Sequence, residues 1–195
     1  MNAQHIQQQS VARDLRLMSL NDMSFASLFK RGEFNDCTSL VIRHSRLTGT
    51  SIKALAHLDQ LNHLTLDGCR LDDEAMHLSL GWIGQLTSLS LRGNDITDAF
   101  VVDLCQSADL RQLEHLALDG CDLSDRSLLA IAMTHSLCNL RTLSLRGCEA
   151  ITDEGAQWLA KRMQVHFPNL ERVVLGGSQV TLRMRRRIER EAHAA

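Results

Sequence analysis

Two kinds of side chain in this sequence are equipped for metal or covalent chemistry, and their spacing argues against it. Six cysteines and nine histidines are the residue types that bind zinc. Yet there is no C-x-x-C, no H-E-x-x-H and no H-x-x-x-H accompanied by cysteines, so no metal site is expected. Nucleophilic catalysis needs a base within hydrogen-bond reach of the nucleophile. The chain carries no G-x-S-x-G, P-loop or dinucleotide fingerprint, and the expectation is a protein that is not an enzyme and takes no cofactor. Cys37, Cys105 and Cys138 are scattered, whereas Cys69, Cys121 and Cys148 recur in one frame with Ser45, Asn94 and Ser178. Small side chains in such a frame serve a turn. Unpaired thiols in an apolar chain suggest the cytoplasm or another reducing intracellular compartment.

Charge is the remaining chemistry. Arg43, Asp67, Arg92, Asp119 and Arg146 lie 24, 25, 27 and 27 residues apart and alternate in sign, and His63, His115 and Arg172 belong to the same frame four residues earlier. A recurrence of that length needs a repeating scaffold. The composition supplies one: 33 of the 195 residues are Leu, with one Pro, no Tyr, five Phe and two Trp. Such a length suits one or two domains with a self-sufficient core. With 44% hydrophobic and 23% charged residues, the composition is that of a globular protein. A net charge of −2 argues against nucleic acid as the partner of the whole molecule, and so does the scarcity of aromatics for base stacking. No apolar run approaches the roughly 18 residues of a membrane span, and residues 1–10 are polar and Gln-rich with no secretory stretch.

The leucines are organised as L-x-x-L-x-L-x-x-[C/N/S]. The four clear copies are Leu61, Leu64, Leu66 and Cys69; Leu86, Leu89, Leu91 and Asn94; Leu113, Leu116, Leu118 and Cys121; and Leu140, Leu143, Leu145 and Cys148. Weaker copies flank them at Cys37, Leu40, Ile42 and Ser45, and at Leu170, Val173, Leu175 and Ser178. A second signal runs in phase. Each copy is followed by an aliphatic residue and a helix-capping type: Leu47-Thr48, Leu71-Asp72, Ile96-Thr97, Leu123-Ser124, Ile151-Thr152 and Val180-Thr181. Their oxygens suit the free amides of a helix N-terminus. Apolar pairs such as Ile52 and Leu55, or Leu128 and Ile131, continue the helical face, so each unit reads as a short strand, a tight turn and a helix of two to four turns.

On these residues the chain resembles the leucine-rich-repeat family, in its cysteine-containing subtype with lengthening towards the ribonuclease-inhibitor-like one; LRTLSLRGCEAITDEGAQWL, residues 140–159, is the segment most like the former. The resemblance covers residues 37–182. It implies an α/β solenoid with a curved parallel sheet on the concave side and helices on the convex side, and it implies no particular function. The organisation expected is a disordered stretch over 1–10, an N-terminal cap or degenerate repeat over 11–36, repeats over 37–178 and a capping helix over 179–195. Leu15, Leu17 and Leu20 fit the repeat template, with Leu17 in phase 25 residues before Ile42; a plain amphipathic helix over 11–20 fits nearly as well.

In such strands the leucines point inward and alternate residues line the open face. Between the leucines stand Val41, Thr65, Ser90, Ala117, Ser144 and Val174, and just after them the five alternating charges. Those charges either neutralise one another across strands or form a strip that docks a protein of alternating charge. The glycines that follow, at 68, 93, 120, 147 and 177, suit a left-handed turn. His63 and His115 stand two strand spacings apart, about 10 Å, too far to share one metal ion. At the C-terminus Val180, Met184 and Ile188 make one apolar stripe among five arginines. That helix is either a solvated cap, with Arg185–Glu189 and Arg187–Glu191 as internal pairs, or a contact for an acidic protein, RNA or anionic lipid.

The function expected is a protein-interaction module, with Arg43, Asp67, Arg92, Asp119, Arg146, His63, His115 and Arg172 touching a protein partner. The alternative is a substrate-receptor subunit of a ubiquitin ligase, or a bacterial effector mimicking one, because cysteine-containing repeats resemble those that follow F-box segments. Against it, only 36 residues precede the first copy, at Cys37, with no Trp before 82 and no Pro before 168.

Overall fold

The computed structural model describes residues 13–192, so the expectation for residues 1–10 lies outside the described residues. Strand and helix alternate along the chain: β1 (Arg13–Met18), α1 (Asp22–Lys30), β2 (Cys37–Arg43), α2 (Gly49–Leu55), β3 (His63–Asp67), α3 (Asp73–His77), β4 (Ser88–Ser90), α4 (Asp98–Ser107), β5 (His115–Ala117), α5 (Asp125–Met133), β6 (Thr142–Ser144), α6 (Asp153–His166), β7 (Arg172–Val174) and α7 (Leu182–Ala192). The seven strands form one parallel sheet in sequence order. Parallel neighbours require a crossover between strands, and each helix supplies one, giving the leucine-rich-repeat architecture.

Register follows the leucines. Leu40, Leu64, Leu89, Leu116, Leu143 and Val173 stand in one row, and Leu17, Ile42 and Leu66 begin the next. Both rows are buried from β2 onward, and Ile52, Leu55, Val101, Leu104, Leu128, Ile131, Ala156 and Leu159 meet them from the helices with no exposed surface. A one-residue slip would turn every leucine to solvent, which is why the register holds across strands of only three residues.

Two readings are corrected. The helix considered over 11–20 is absent from its described part: Arg13–Met18 is a strand paired parallel with β2. Helix α1 follows it, closed by a reciprocal capping box between Asn21 and Ser24. Phe25, Phe29 and Phe34 cluster behind it, with the Phe25 and Phe34 ring centroids 5.0 Å apart. The described residues before β2 are therefore a strand and a helix in register with the array.

The second correction concerns the helix of two to four turns expected in every unit. Helix α3 has five residues, and a 3-10 turn over Ile83–Gln85 completes the crossover. The segment packs tightly on the next repeat: a Cβ at Gly84 would run into the Asp109 carbonyl oxygen. Buried Ile83 fills the core in place of a further helical turn.

Candidate partner-binding face

The open face carries three rows of side chains. Asp14, Ser39, His63, Ser88, His115, Thr142 and Arg172 form the first. Arg16, Val41, Thr65, Ser90, Ala117, Ser144 and Val174 form the second. Arg43 and Asp67 are paired in register in the third, which Arg92, Asp119 and Arg146 continue two residues beyond the ends of the short strands.

The charges of that third row combine in a definite order. Arg43 Nε lies 3.8 Å from Asp67 Oδ2, and Arg92 Nε lies 2.8 Å from Asp119 Oδ2. Each aspartate also reaches the following strand. Asp67 Oδ1 accepts the Ser90 hydroxyl at 2.6 Å and the Arg92 backbone N–H at 3.2 Å; Asp119 Oδ1 accepts the Ser144 hydroxyl and, at 2.7 Å, the Arg146 backbone N–H. The two carboxylates are accordingly sunk, at 15% and 19% exposure, while the arginines paired with them stand half out of the surface at 53% and 50%. Asp67 and Asp119 each tie three neighbouring repeats together. The outward charge is that of the arginines, and Arg146 has no carboxylate partner among the described residues.

The first row is polar, with His63, His115 and Arg172 exposed and Ser39, Ser88 and Thr142 half-buried between them. His63 Nδ1 is hydrogen-bonded to the neighbouring Asn62 side chain, and His115 Nδ1 to Thr142 Oγ1 at 2.8 Å. Ser88 stands between the two histidines in register. Arg172 lies on the edge strand β7. Among the described residues no three His, Cys, Asp or Glu side chains gather as a metal site.

Two ladders escaped the sequence reading. Immediately before the first row, Arg141 bridges Glu114 at 3.2 Å and Glu171 at 2.5 Å; the same period read one column to the left finds it. The other joins the helices. The aspartate opening one helix accepts the backbone N–H and hydroxyl of the next helix cap: Asp22 from Thr48, Asp73 from Thr97, Asp98 from Ser124, Asp125 from Thr152 and Asp153 from Thr181. The recurring Thr-Asp and Ser-Asp dipeptides were its signal.

The turn position behaves as one backbone-satisfying column. Asn94 Oδ1 accepts the N–H groups of Cys69 and Leu71, while its amide donates to the carbonyls of Leu66 and Leu91. Cys69, Cys121 and Cys148 donate their thiols to the carbonyls of Ile42, Leu91 and Leu118. Burial is the main influence on these thiols and pushes Cys69 up to about 11 and Cys121 to about 12, so they persist as protonated donors. The glycines at 68, 93, 120, 147 and 177 all have positive φ.

Three segments, residues 86–100, 110–132 and 136–160, match a family model described as Leucine Rich repeat. With the same strand and helix unit extending over the described chain, the protein folds as a leucine-rich-repeat solenoid. A chain in the crystal structure of the Rad7 and Elc1 complex in yeast is similar in fold, with a TM-score of 0.57 at 19% identity. The match covers 86% of this chain and 50% of that one, so this chain spans about half the length of the chain it resembles. No curated protein matches the sequence. Among the described residues no helix is long and apolar enough to cross a membrane.

Proposed function

We propose that this chain is a non-enzymatic protein-interaction module that holds a protein partner on the open strand face and the turns beside it. The observation that carries this reading is the shape and charge of that face: a floor of small side chains, Val41, Thr65, Ser90, Ala117, Ser144 and Val174, bordered by projecting arginines. A small-residue floor admits a helix or loop of the partner to close range. Arg43, Arg92 and Arg146 then meet its carboxylates, since a guanidinium binds a carboxylate through two parallel hydrogen bonds. His63, His115 and Arg172 form the opposite border. Asp67 and Asp119 act as positioning residues that hold Arg43 and Arg92. The similar solved chain comes from a complex of two proteins by its title, which fits a partner-holding role by analogy of fold alone.

The test is affinity capture with cross-linking and mass spectrometry from the native cell, comparing the natural chain with a variant in which Arg43, Asp67, Arg92, Asp119 and Arg146 are all changed to Ser. With circular dichroism showing that the variant stays folded, the expected result is loss of the captured partner. Undiminished capture overturns the reading.

A further inference from the structure

The sheet ends at β7 with its hydrogen-bonding pattern incomplete. In preceding repeats the residue at the second leucine position and the glycine two residues later donate their N–H groups to the following strand. Leu118 donates to Ser144 O at 2.9 Å and Gly120 to Arg146 O at 2.7 Å; Leu145 donates to Val174 O at 2.9 Å and Gly147 to Gly176 O at 2.8 Å. Leu175 and Gly177 hold these positions after β7, and among the described residues their N–H groups have no acceptor. On the acceptor side, the Arg141 carbonyl receives the N–H groups of Glu171 and Arg172; the Glu171 carbonyl is its counterpart one repeat later.

Such an edge is a template for another strand, and here it is accessible. A cleft of about 740 Å³ follows residues 171–176 along this edge, with Leu182, Arg185, Ile188 and Glu189 of α7 as its other wall. Val180, just before α7, and Ile188 and Ala192 within it cover the core, all three buried, and leave the strand edge open. Charge selects the occupant. The cleft is lined by Arg172 and Arg185 together with Glu171 and Glu189; Glu171 is already held by Arg141 at 2.5 Å, whereas Arg172 has no carboxylate partner among the described residues. Arg185 donates to the Ser178 carbonyl at 3.1 Å, while its Nε is buried without a hydrogen-bond partner.

We propose that this cleft binds an extended segment of a partner protein as an eighth strand, with acidic residues on the open face beside Arg172 alternating with apolar residues turned towards Val173 and Ile188. Main-chain pairing to Leu175 and Gly177 supplies a sequence-independent contact, and the alternating pockets supply selectivity. This site borders the partner-binding face at Arg172 and Val174, but it is built on the free strand edge, and its occupancy does not depend on that reading.

The probes are end-blocked octapeptides of alternating Asp and Val, alternating Asp and Leu, and alternating Lys and Val, titrated into the isotope-labelled full chain. We expect at least one acidic peptide to shift the amide resonances of Leu175 and Gly177 and to slow their hydrogen exchange about tenfold or more. Arg172→Glu and Arg185→Glu should each weaken that binding about tenfold, and N-methylation of alternate peptide bonds should abolish it. Changing Arg43 and Arg92 to Ser should leave it intact, which separates failure of this site from failure of the strand face. The proposal is overturned if neither acidic peptide protects the two amides, or if the Lys and Val peptide protects them equally. It is also overturned if the chain protects them alone through concentration-dependent self-association, or if they are protected only by phosphatidylserine vesicles.

Discussion

Asp98, the first residue of α4, accepts both the backbone N–H of Ser124, at 3.0 Å, and the Ser124 hydroxyl, so one carboxylate joins the start of its own helix to the cap of the next. Ser127 adds its N–H at 3.1 Å and its hydroxyl. Four donors converge on one carboxylate at a helix N-terminus, where the helix dipole favours negative charge.

Removing that carboxylate should uncouple two repeats. Asp98→Ala leaves the Ser124 and Ser127 donors without their acceptor, and hydrogen bonds to charged groups contribute about 1.5–3 kcal/mol each at most sites, less where water can replace them. A net loss of about 2 kcal/mol in urea unfolding is expected. Burial, the largest single influence, raises the Asp98 pKa, but the donors of Ser124 and Ser127 together outweigh it and hold the carboxyl below its ordinary value. A depressed folded-state value means the contribution is full above the unfolded carboxyl's titration, near pH ~4, and is lost as pH falls through the lower folded value. Acid unfolding of Asp98→Ala should therefore be less steep than that of the natural chain.

The helix ladder is interrupted once, and the interruption is electrostatically consistent. The cap of α3 is Asp72, which accepts the Ala75 N–H at 2.9 Å, and a carboxylate has no hydrogen to give to an aspartate in the preceding helix. That preceding position is Gly49. Gly49→Asp alone should destabilise by setting two carboxylates together, whereas Gly49→Asp with Asp72→Thr should complete the ladder. A Cβ at Gly49 meets the flexible end of Leu78 at 2.5 Å and stands at ordinary contact distance, 3.8 Å, from the Ala75 Cα, so the pair is sterically attainable. The double-mutant cycle should show a favourable coupling of about 1–2 kcal/mol by urea unfolding.

His77 ties α3 to α4 in a pH-dependent way. Its Nδ1 is hydrogen-bonded to the Asp73 carbonyl at 2.6 Å and its Nε2 to the Asp103 carboxylate, and both acceptors favour the imidazolium. The Asp73 carbonyl first, then Asp103, raises its pKa above the ordinary histidine value. The contribution to stability is complete below the unfolded histidine's titration, near pH ~6.5, and disappears as pH rises through the higher folded value. His77→Gln should lose stability relative to the natural chain at pH 5.5 and match it more closely at pH 8.5, read as the midpoint of thermal unfolding.

The turn glycines should not be equivalent. Gly93 has φ +60° with nothing within 4 Å of a Cβ added there, while at Gly177, φ +78°, a Cβ would stand 3.3 Å from the Gly147 backbone. Gly93→Ala should cost about 1 kcal/mol for the left-handed conformation alone. Gly177→Ala should cost more than that, because the neighbour is backbone and cannot rotate away. Chemical denaturation of the two variants side by side checks the order.

Much of the scaffold was legible because a parallel solenoid repeats one burial pattern. The leucines of Leu61–Leu66 and its counterparts located the strands, and Thr48, Asp72, Thr97, Ser124 and Thr152 marked the helix starts that their side chains do cap. Residues 13–18 were ambiguous because L-x-L-x-x-L suits one side of a strand or of a helix; pairing of Leu17 with Ile42 resolves it in favour of a strand. The short α3 was illegible because Gly84 is there for its approach to the next repeat, a distance that the local pattern does not contain.

The candidate face divides in the same way. The alternation of Arg43, Asp67, Arg92, Asp119 and Arg146 stands in the sequence, because period and charge are properties of the chain. Which charges turn inward does not. Each aspartate is short enough to be captured by a serine hydroxyl and a backbone N–H on the following strand, so Asp67 and Asp119 sink while the longer arginines stay out. The open donors of Leu175 and Gly177 likewise appear only once the strands are laid side by side. The sequence alone thus determined the repeat, its register and its caps, since these follow from which side chains must leave water. Only the tertiary structure decided which polar groups are spent on neighbouring repeats and which remain for a partner, because that depends on distances between residues some 25 positions apart.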